Sequence, residues 1–235
     1  NASQLRGVFP AIPTPVNADD TINAPAAQAL IAYLLKQGID GIVPLGGTGE
    51  YGALARAERI RMCKLTVDAV AGRVPVIPGV LDPGFYDALQ AGQEFADAGA
   101  DALMVLTPYY TTPTQAGIRE YFLRYADASP LPIMIYEIPY RTRIAIAPEV
   151  LHELSRHPNI IGMKACNTDM YHFLRTVAGV DDSFAVFSGE DTLLPVHLAA
   201  GARGGIVVTA SLLPKAWRQV YDLAAAGQTQ AAMLL

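Results

Sequence analysis

The sequence is poor in cysteine and histidine, and these absences exclude several classes of protein. Its two cysteines, Cys63 and Cys166, each lie in an apolar pattern. We therefore expect no disulfide framework, and a reducing, cytoplasmic location. The four histidines are scattered, and none stands at a metal-ligand spacing from a cysteine. The pattern indicates neither a disulfide-rich secreted protein nor a metal site.

Basic clusters and long apolar runs are also absent. The chain has 17 Lys and Arg against 22 Asp and Glu, a formal net charge of -5, and no group of basic residues stands out. We expect neither nucleic acid nor an anionic membrane as a partner. No apolar run reaches the length of a membrane span, and no signal-peptide pattern opens the chain. A content of 51% hydrophobic residues predicts a large core.

One pattern recurs along the chain. Residues 38–45, 99–106 and 201–208 each begin with a glycine after a helical stretch and continue as a nearly unbroken apolar run. A glycine there can take the left-handed conformation that ends a helix. The apolar run is typical of a strand buried on both faces, as in a parallel sheet. Further strands are predicted at 8–12, 74–78, 133–137, 160–165 and 185–188.

Helical patterns separate these eight predicted strands, as in the apolar stripe of Ile60, Cys63, Val67 and Val70. The alternation predicts an α/β fold, most simply a (β/α)8 TIM barrel. A doubly wound open sheet is the alternative, weakened by the lack of Gly-x-Gly-x-x-Gly after the first strand. We expect a barrel domain over 1–227, and over 228–235 the start of a C-terminal helical segment that continues beyond this sequence.

Catalytic residues of such barrels lie at the carboxyl ends of the strands. Strand two ends in Gly46-Gly47-Thr48-Gly49-Glu50, where free backbone amides can bind an anionic group. A flexible turn with a helix cap is an equal alternative. Strand four ends in Thr107-Pro108-Tyr109-Tyr110. The simpler interpretation is that these tyrosines pack against other residues, and the functional alternative is that one hydroxyl transfers a proton.

Strands five and six carry stronger signals. Tyr136, with Arg141 five residues later, fits a proton shuttle beside a carboxylate-binding site, although a proline-shaped loop with a surface arginine explains it as well. Lys164 lies within an apolar strand, where burial disfavours the ammonium and leaves a nucleophilic amine. A structural salt bridge is the weaker alternative. Cys166, two residues on, faces the same side and is interpreted as lining the pocket.

Taken in order, these motifs resemble those of the dihydrodipicolinate synthase and N-acetylneuraminate lyase family of class I, pyruvate-dependent aldolases. The resemblance runs from about residue 7 to the end of the chain. It comprises Gly-x-Thr-Gly-Glu after strand two, Thr-Pro-Tyr-Tyr after strand four, Tyr-x-x-Pro-x-Arg-Thr after strand five, Ile-Gly-x-Lys on strand six and Ser-Gly-Glu-Asp after strand seven.

The resemblance implies a role for each matched residue. Lys164 forms the Schiff base with pyruvate, Tyr136 shuttles protons, and Tyr110 crosses a dimer interface to complete the neighbour's site. The substrate-binding residues it implies are Gly47 and Thr48 for the pyruvate carboxylate, Arg141 for the second substrate, and Gly189 and Ile206 lining the pocket. It also implies a homo-oligomer, a dimer or tetramer, with no metal or organic cofactor because the lysine supplies the electron sink.

Three departures bear on the reaction. Gly47 stands where the synthases have threonine and the sialic acid lyases serine, Glu137 replaces an asparagine, and Ala165-Cys166 replaces Glu-Ala. The expected reaction is condensation of pyruvate with an aldehyde such as aspartate semialdehyde. Alternatives are a 2-keto-3-deoxy sugar-acid aldolase or dehydratase, an enzyme like N-acetylneuraminate lyase, and a catalytically silent 2-oxo acid-binding paralogue.

Overall fold

The computed structural model describes residues 5–235, so the first four residues of the expected barrel domain lie outside the described residues. In this range one parallel sheet contains seven strands: β1 (Gly7–Pro10), β2 (Gly79–Val80), β3 (Leu103–Leu106), β4 (Ile133–Glu137), β5 (Ile160–Ala165), β6 (Ala185–Ser188) and β7 (Gly204–Val207). Their order across the sheet is β1-β7-β6-β5-β4-β3-β2. The predicted α/β class with a parallel sheet is confirmed.

Helices connect the strands, as parallel pairing requires. They are α1 (Ala24–Lys36), α2 (Arg56–Val70), α3 (Phe85–Asp97), α4 (Gln115–Ala128), α5 (Pro139–Thr142), α6 (Pro148–Leu154), α7 (Met170–Ala178), α8 (Leu194–Ala199), α9 (Pro214–Ala225) and α10 (Thr229–Met233). Short 3-10 helices cover Tyr51–Ala53 and Thr209–Ser211. In residues 5–235 no helix has both the length and the apolar character needed to cross a bilayer.

Local sequence signals set the helix ends. The Asn23 side chain accepts a hydrogen bond from the backbone of Ala26 and begins α1, and Asp169 begins α7 in the same way. The glycines of the recurring pattern all have positive φ just after a helix, as predicted: Gly38 (77°), Gly99 (94°) and Gly201 (109°). The chain can therefore leave each helix and enter the next strand within a few residues.

The strand predicted within 38–45 is reduced to two isolated parallel bridges. Val43 pairs with Ala11 on one side, and Ile42 pairs with Val76 on the other. Proline explains the interruption, because it has no N–H to donate to a ladder. Four prolines accept ladder hydrogen bonds through their carbonyls only: Pro10, Pro44, Pro75 and Pro78. Pro75 and Pro78 interrupt the strand predicted at 74–78 in the same way. The strand that forms in this part of the chain is β2, which begins directly after Pro78.

The two faces of the sheet bury different sets of side chains, because successive strand residues point in opposite directions. The outer face packs against the helices and includes Val105, Ile135, Met163 and Val186. The inner face is a separate apolar cluster that includes Phe9, Met104, Tyr136, Phe187 and Ile206. Phe9 stacks on Phe187 there, with ring centroids 5.0 Å apart.

Candidate active site

Lys164 is the one buried lysine of the four in the sequence, all of which lie in the described range. It belongs to β5, with 5% of its surface exposed. Its register partners are Tyr136 on β4 and Phe187 on β6, both of the inner face. The Nζ atom lies 4.6 Å from the centroid of the Tyr136 ring. The amine is thus held inside the sheet, beside a phenol.

Tyr136 is 3% exposed, and burial raises the pKa of its hydroxyl, opposed by the positive charge of Arg141. The phenol is therefore protonated at neutral pH and can donate as well as accept a proton. A Cβ built on Gly47 would lie 3.9 Å from the Tyr136 hydroxyl oxygen. The turn after the second predicted strand and the end of β4 consequently meet at this hydroxyl.

Gly189 follows β6 and packs against the lysine. A Cβ at this position would lie 2.1 Å from Cys166 Sγ and 3.0 Å from both Cγ and Cε of Lys164. Any larger residue would therefore displace the lysine side chain or the thiol. Burial raises the pKa of Cys166 to about 12, so its sulfur is a neutral thiol that fills space beside Lys164.

The turn over 46–50 is strained and open to a ligand. Leu45 and Glu50, at its two ends, both have positive φ, 61° and 54°. Such backbone in bulky residues is costly and concentrates at functional sites. Among the described residues, the N–H groups of Gly47 and Thr48 donate to no backbone or side-chain acceptor. They are the free amides that the sequence predicts for an anionic group.

Three polar side chains interact with one another next to this turn. The Tyr51 hydroxyl donates to Asp82, and the guanidinium of Arg59 lies 4.0 Å from the Tyr51 ring centroid and 3.1 Å from the Asp82 carboxylate. A phenol, a carboxylate and a guanidinium that satisfy one another fix the geometry of the chain next to the glycines. The strained turn is therefore a rigid feature of the site.

Arg141 lies on the one-turn helix α5, directly after β4. Its side chain is exposed, and its charge reaches Tyr136. The loop that carries Arg141 returns to β4 at Ile146. There Glu137, which is fully buried on the outer face, accepts a hydrogen bond from the Ile146 N–H at 2.9 Å. His172 donates to the Ile146 carbonyl at 2.7 Å. Glu137 is thus a support of the loop that carries Arg141.

Burial raises the pKa of the Glu137 carboxyl, and the neighbouring His172 opposes this effect. The sequence indicates only that Glu137 replaces an amide residue. Its partners, Ile146 and His172, lie nine and 35 positions away, so no local signal in the sequence identifies them.

Tyr110 and Ile206 are two further predicted site residues, and the structure places them differently. Tyr110 has 96% of its surface exposed and a φ of 75°, so its side chain extends away from this chain. Ile206 is fully buried on β7, opposite Phe9 in the inner face. The structure brings together Lys164 and Tyr136 with the backbone of Gly47 and Gly189, leaves Arg141 at the rim and places Tyr110 on the surface.

Sequence reasoning did not single out Glu190, which directly follows Gly189. Burial raises the pKa of its carboxyl, and the nearby Tyr140 hydroxyl and the charge of Lys164 oppose this effect. Its backbone is fixed by Ser188, whose hydroxyl donates to the Glu190 carbonyl at 3.1 Å and lies 2.8 Å from Nδ1 of the buried His197. The sequence did contain a signal for Glu190, because it belongs to the motif Ser-Gly-Glu-Asp and directly follows Gly189, which was already assigned to the pocket.

The chemistry available to this arrangement is that of an amine and a phenol. An amine held in apolar surroundings attacks a ketone, and the phenol beside it can transfer the protons that this attack requires. Within residues 5–235 no group of three or more His, Cys, Asp or Glu side chains is placed to hold a metal ion.

Comparisons with known proteins agree with one another. Residues 4–235 match the model of the Dihydrodipicolinate synthetase family. A 4-hydroxy-tetrahydrodipicolinate synthase from Methanospirillum hungatei is 34% identical over 231 residues, covering 97% of this chain and 79% of that protein. One from Xanthomonas axonopodis pv. citri is 37% identical over 228 residues, covering 97% and 76%.

A solved structure gives the same answer. The crystal structure of the chloride-inhibited dihydrodipicolinate synthase from Acinetobacter baumannii, complexed with pyruvate, superimposes with a TM-score of 0.93 at 31% identity. The match covers 97% of this chain and 78% of that one. The similarity therefore extends over the whole described sheet and its helices.

Proposed function

The chain belongs to the Dihydrodipicolinate synthetase family, and from this premise we propose that it condenses pyruvate with an aldehyde through a Schiff base on Lys164. Enzymes of this family are lyases of the aldolase type that form an imine on a lysine and use no separate cofactor. The observation that carries the assignment to Lys164 is its burial on β5, with Nζ 4.6 Å from the Tyr136 ring.

We propose the following roles for the residues around the amine. The amine of Lys164 attacks the ketone carbon of pyruvate, and loss of water leaves an imine. Tyr136 gives a proton to the departing hydroxyl and takes one in later steps. The free amides of Gly47 and Thr48 hold the pyruvate carboxylate. Gly189 and Ile206 line the pocket, and Arg141, at the rim, meets the carboxylate of the second substrate.

The protonated imine then acts as an electron sink. It lets a proton leave the methyl carbon of pyruvate, and the enamine that results attacks the carbonyl carbon of the aldehyde. Hydrolysis of the imine releases the product and restores the amine of Lys164. Run in reverse, the same steps cleave a carbon–carbon bond, so the chemistry of the site alone does not choose a direction.

A sugar-acid aldolase or dehydratase is the second candidate, and Gly47 favours it. Gly47 has no side chain where the synthases and sialic acid lyases that the motifs resemble have a hydroxyl. The position that its Cβ would take, 3.9 Å from the Tyr136 hydroxyl oxygen, is thus left for part of a bulkier substrate. Profiling product formation with pyruvate and either aspartate semialdehyde or hydroxylated aldehydes tests the two candidates. Turnover of aspartate semialdehyde at the rate of a true synthase would count against the sugar-acid alternative, and the absence of any pyruvate adduct would overturn both candidates.

We further propose that the sheet closes into an eight-stranded barrel. Support comes from the segment at 42–44, which makes parallel hydrogen bonds on both sides: the Val43 N–H donates to the Pro10 carbonyl, and the Ile42 N–H donates to that of Pro75. The segment thus contacts both β1 and the chain leading into β2. We retain 1–227 as the extent of the barrel domain, with a helical segment from 228.

A homo-oligomer, a dimer or tetramer, is the assembly we propose. The almost complete exposure of Tyr110 and its positive φ support this, because a bulky residue held in costly backbone and without packing in its own chain suits an interface. Tyr110 would then complete the site of a neighbouring copy. A cytoplasmic location agrees with Cys63 and Cys166, which are both free and buried.

A further inference from the structure

The end of the loop that carries Arg141 is held from two sides at one residue, Ile146. Glu137, on β4, accepts a hydrogen bond from the Ile146 N–H at 2.9 Å, and His172, on α7, donates to the Ile146 carbonyl at 2.7 Å. The donating nitrogen, Nε2, also lies 3.8 Å from a carboxylate oxygen of Glu137. A carboxylate and an imidazole from two different elements thus form one unit around a single residue of the loop.

The two neighbours of Ile146 are held by Gln115, which lies on α4. Its amide donates to the Ala145 carbonyl at 2.9 Å and accepts from the Ala147 N–H at 2.8 Å. Side chains therefore satisfy four consecutive polar groups of the backbone, in the manner of a strand partner. Because the amide of Gln115 does not titrate, its two hydrogen bonds do not depend on pH.

A short, internally bonded stretch connects this clamp to Arg141. Thr142 is buried, and its hydroxyl donates to the Ile138 carbonyl at 3.1 Å and accepts from the Ile144 N–H at 3.3 Å. The helix α5 that carries Arg141 has only one turn, so it gives the arginine little independent support. A shift at Ile146 is therefore transmitted to Arg141 through the residues between them.

The charge of Glu137 is the variable part of the clamp. Burial raises the pKa of its carboxyl, and the charge of His172, the Ile146 N–H and the Asn167 side chain oppose this effect. The carboxylate also influences the thiol of Cys166, directly after β5, which is neutral. His172 can donate through Nε2 whether it is charged or neutral. Protonation of Glu137 is therefore the change that weakens the clamp.

We propose that Glu137 is a positioning residue: its carboxylate, paired with His172, holds Arg141 in place, so the KM for a carboxylate-bearing aldehyde depends on the charge of Glu137. This inference rests on the proposed function and adds a control of its second step from behind the sheet. Glu137 lies on the outer face, whereas its neighbour Tyr136 belongs to the inner face. The formation of the imine with pyruvate does not involve Glu137.

Acid weakens the capture of the aldehyde in this account. Because its pKa is raised, the Glu137 carboxylate takes up a proton at a higher pH than an exposed glutamate does. The neutral carboxyl loses its attraction to His172 and is a weaker acceptor for the Ile146 N–H. Above this pH the loop is held. Below it the KM for the aldehyde rises, while kcat at saturating aldehyde stays the same.

The experiment measures KM and kcat for aspartate semialdehyde and succinic semialdehyde from about pH 5 to about pH 8, at saturating pyruvate. It compares the wild type with Glu137→Gln, which keeps the size and an acceptor oxygen but loses the charge. We expect the variant to raise KM about 5-fold near pH 8 with little change in kcat. The two KM values converge as the pH falls, and their ratio cancels the titration of other groups.

Two controls accompany this comparison. Glyceraldehyde has no carboxylate for Arg141 to meet, so its KM should be the same in Glu137→Gln and in the wild type. Glu153→Gln is the matched variant, because Glu153 is exposed on α6, the next helix, and pairs there with Arg119. We expect it to leave the kinetics of all three aldehydes unchanged.

Two further measurements test whether Glu137 acts through Arg141. In an Arg141→Ala background, the addition of Glu137→Gln should leave KM unchanged, whereas independent effects would multiply. Borohydride trapping of pyruvate should be as fast in Glu137→Gln as in the wild type, which also shows that the variant folds. Slower trapping would mean that the carboxylate supports the whole site, and multiplied effects would mean that it bypasses Arg141. Either result would overturn the inference.

The remaining outcomes are equally decisive. A ratio of KM values that stays constant over the pH range, or an equal effect with glyceraldehyde, would remove the charge of Glu137 from substrate capture and leave the imine chemistry intact. A wild type that uses no carboxylate-bearing aldehyde would have the same consequence. If the wild type formed no trapped adduct with pyruvate, the proposed function itself would fail.

Discussion

Lys164 and Tyr136 are register partners on adjacent parallel strands, and the lysine Nζ lies 4.6 Å from the centroid of the tyrosine ring. The relationship follows directly from strand geometry, because residues opposite each other in a parallel pair point to the same face. β4 and β5 have to keep their register for the pair to exist. The register of the sheet therefore brings the proposed nucleophile and the proposed proton shuttle together.

Gly189→Ala is expected to impair adduct formation with pyruvate far more than it impairs folding. The added methyl would lie 2.1 Å from Cys166 Sγ and 3.0 Å from the Lys164 side chain, so it displaces the groups at the site. We expect the rate of adduct formation to fall at least about 10-fold, since small displacements of a reacting group are costly. Borohydride trapping and a thermal melt measure the two effects.

The double variant Gly189→Ala with Cys166→Ala provides the control, because it removes the sulfur that the new methyl meets. Part of the lost rate should return. If the single variant trapped pyruvate as fast as the wild type, the packing of Gly189 against the lysine would have no functional consequence.

Tyr136→Phe is expected to slow imine formation by about 100-fold, because it removes the hydroxyl that we propose transfers protons while preserving the ring beside the amine. Single-turnover trapping with pyruvate measures this rate. Tyr125→Phe is the matched control, since Tyr125 is also buried but donates to the Ala88 carbonyl on the outer face. Equal rates in the two variants would remove Tyr136 from the mechanism.

Much of this arrangement could be predicted from the sequence. The bounds predicted for β4, β5 and β6 are those of the structure, because each is a short, largely apolar run. Lys164 stood out as a charged residue inside such a run. The segment at 42–44 and β2 were less predictable, because Pro44, Pro75 and Pro78 interrupt a ladder that the apolar pattern alone would continue.

Contacts between distant residues explain what the sequence did not reveal. Glu190 adjoins Gly189, which packs against Lys164. Its carboxyl is also influenced by Tyr140, 50 positions earlier in the chain. Glu137 supports the loop of Arg141 only because the chain returns to it at Ile146. Neither relationship produces a periodicity or a motif, so only the folded chain reveals them.

Gly47→Ser is expected to raise activity with aspartate semialdehyde relative to sugar acids. Its Cβ would lie 3.9 Å from the Tyr136 hydroxyl oxygen, and Gly47 is not among the glycines with positive φ, so a serine fits and its hydroxyl can bond to the phenol. One such hydrogen bond corresponds to a change of about 3- to 10-fold. Ratios of kcat/KM measure the shift. An equal shift in Gly47→Ala would show that bulk is responsible and the hydroxyl is not.

The stability of the protein should fall in mild acid because of His197. Burial lowers the pKa of His197 to about 4, below the value of about 6.5 expected in the unfolded chain. The unfolded chain therefore takes up a proton first, so this contribution is complete above about pH 6.5 and is lost as the pH falls toward 4. Urea unfolding across this range should show a steeper loss for the wild type than for His197→Gln. Parallel curves would contradict the assignment.

The most direct test of the central claim is to reduce the protein with borohydride in the presence of pyruvate and to locate the adduct by peptide mass spectrometry. The chain offers three internal controls, because Lys36, Lys64 and Lys215 are all exposed and react only if the adduct is unspecific. We predict that the modification is confined to Lys164 and that Lys164→Arg folds but acquires none. An adduct on an exposed lysine instead, or an unmodified Lys164 in active enzyme, would contradict the account.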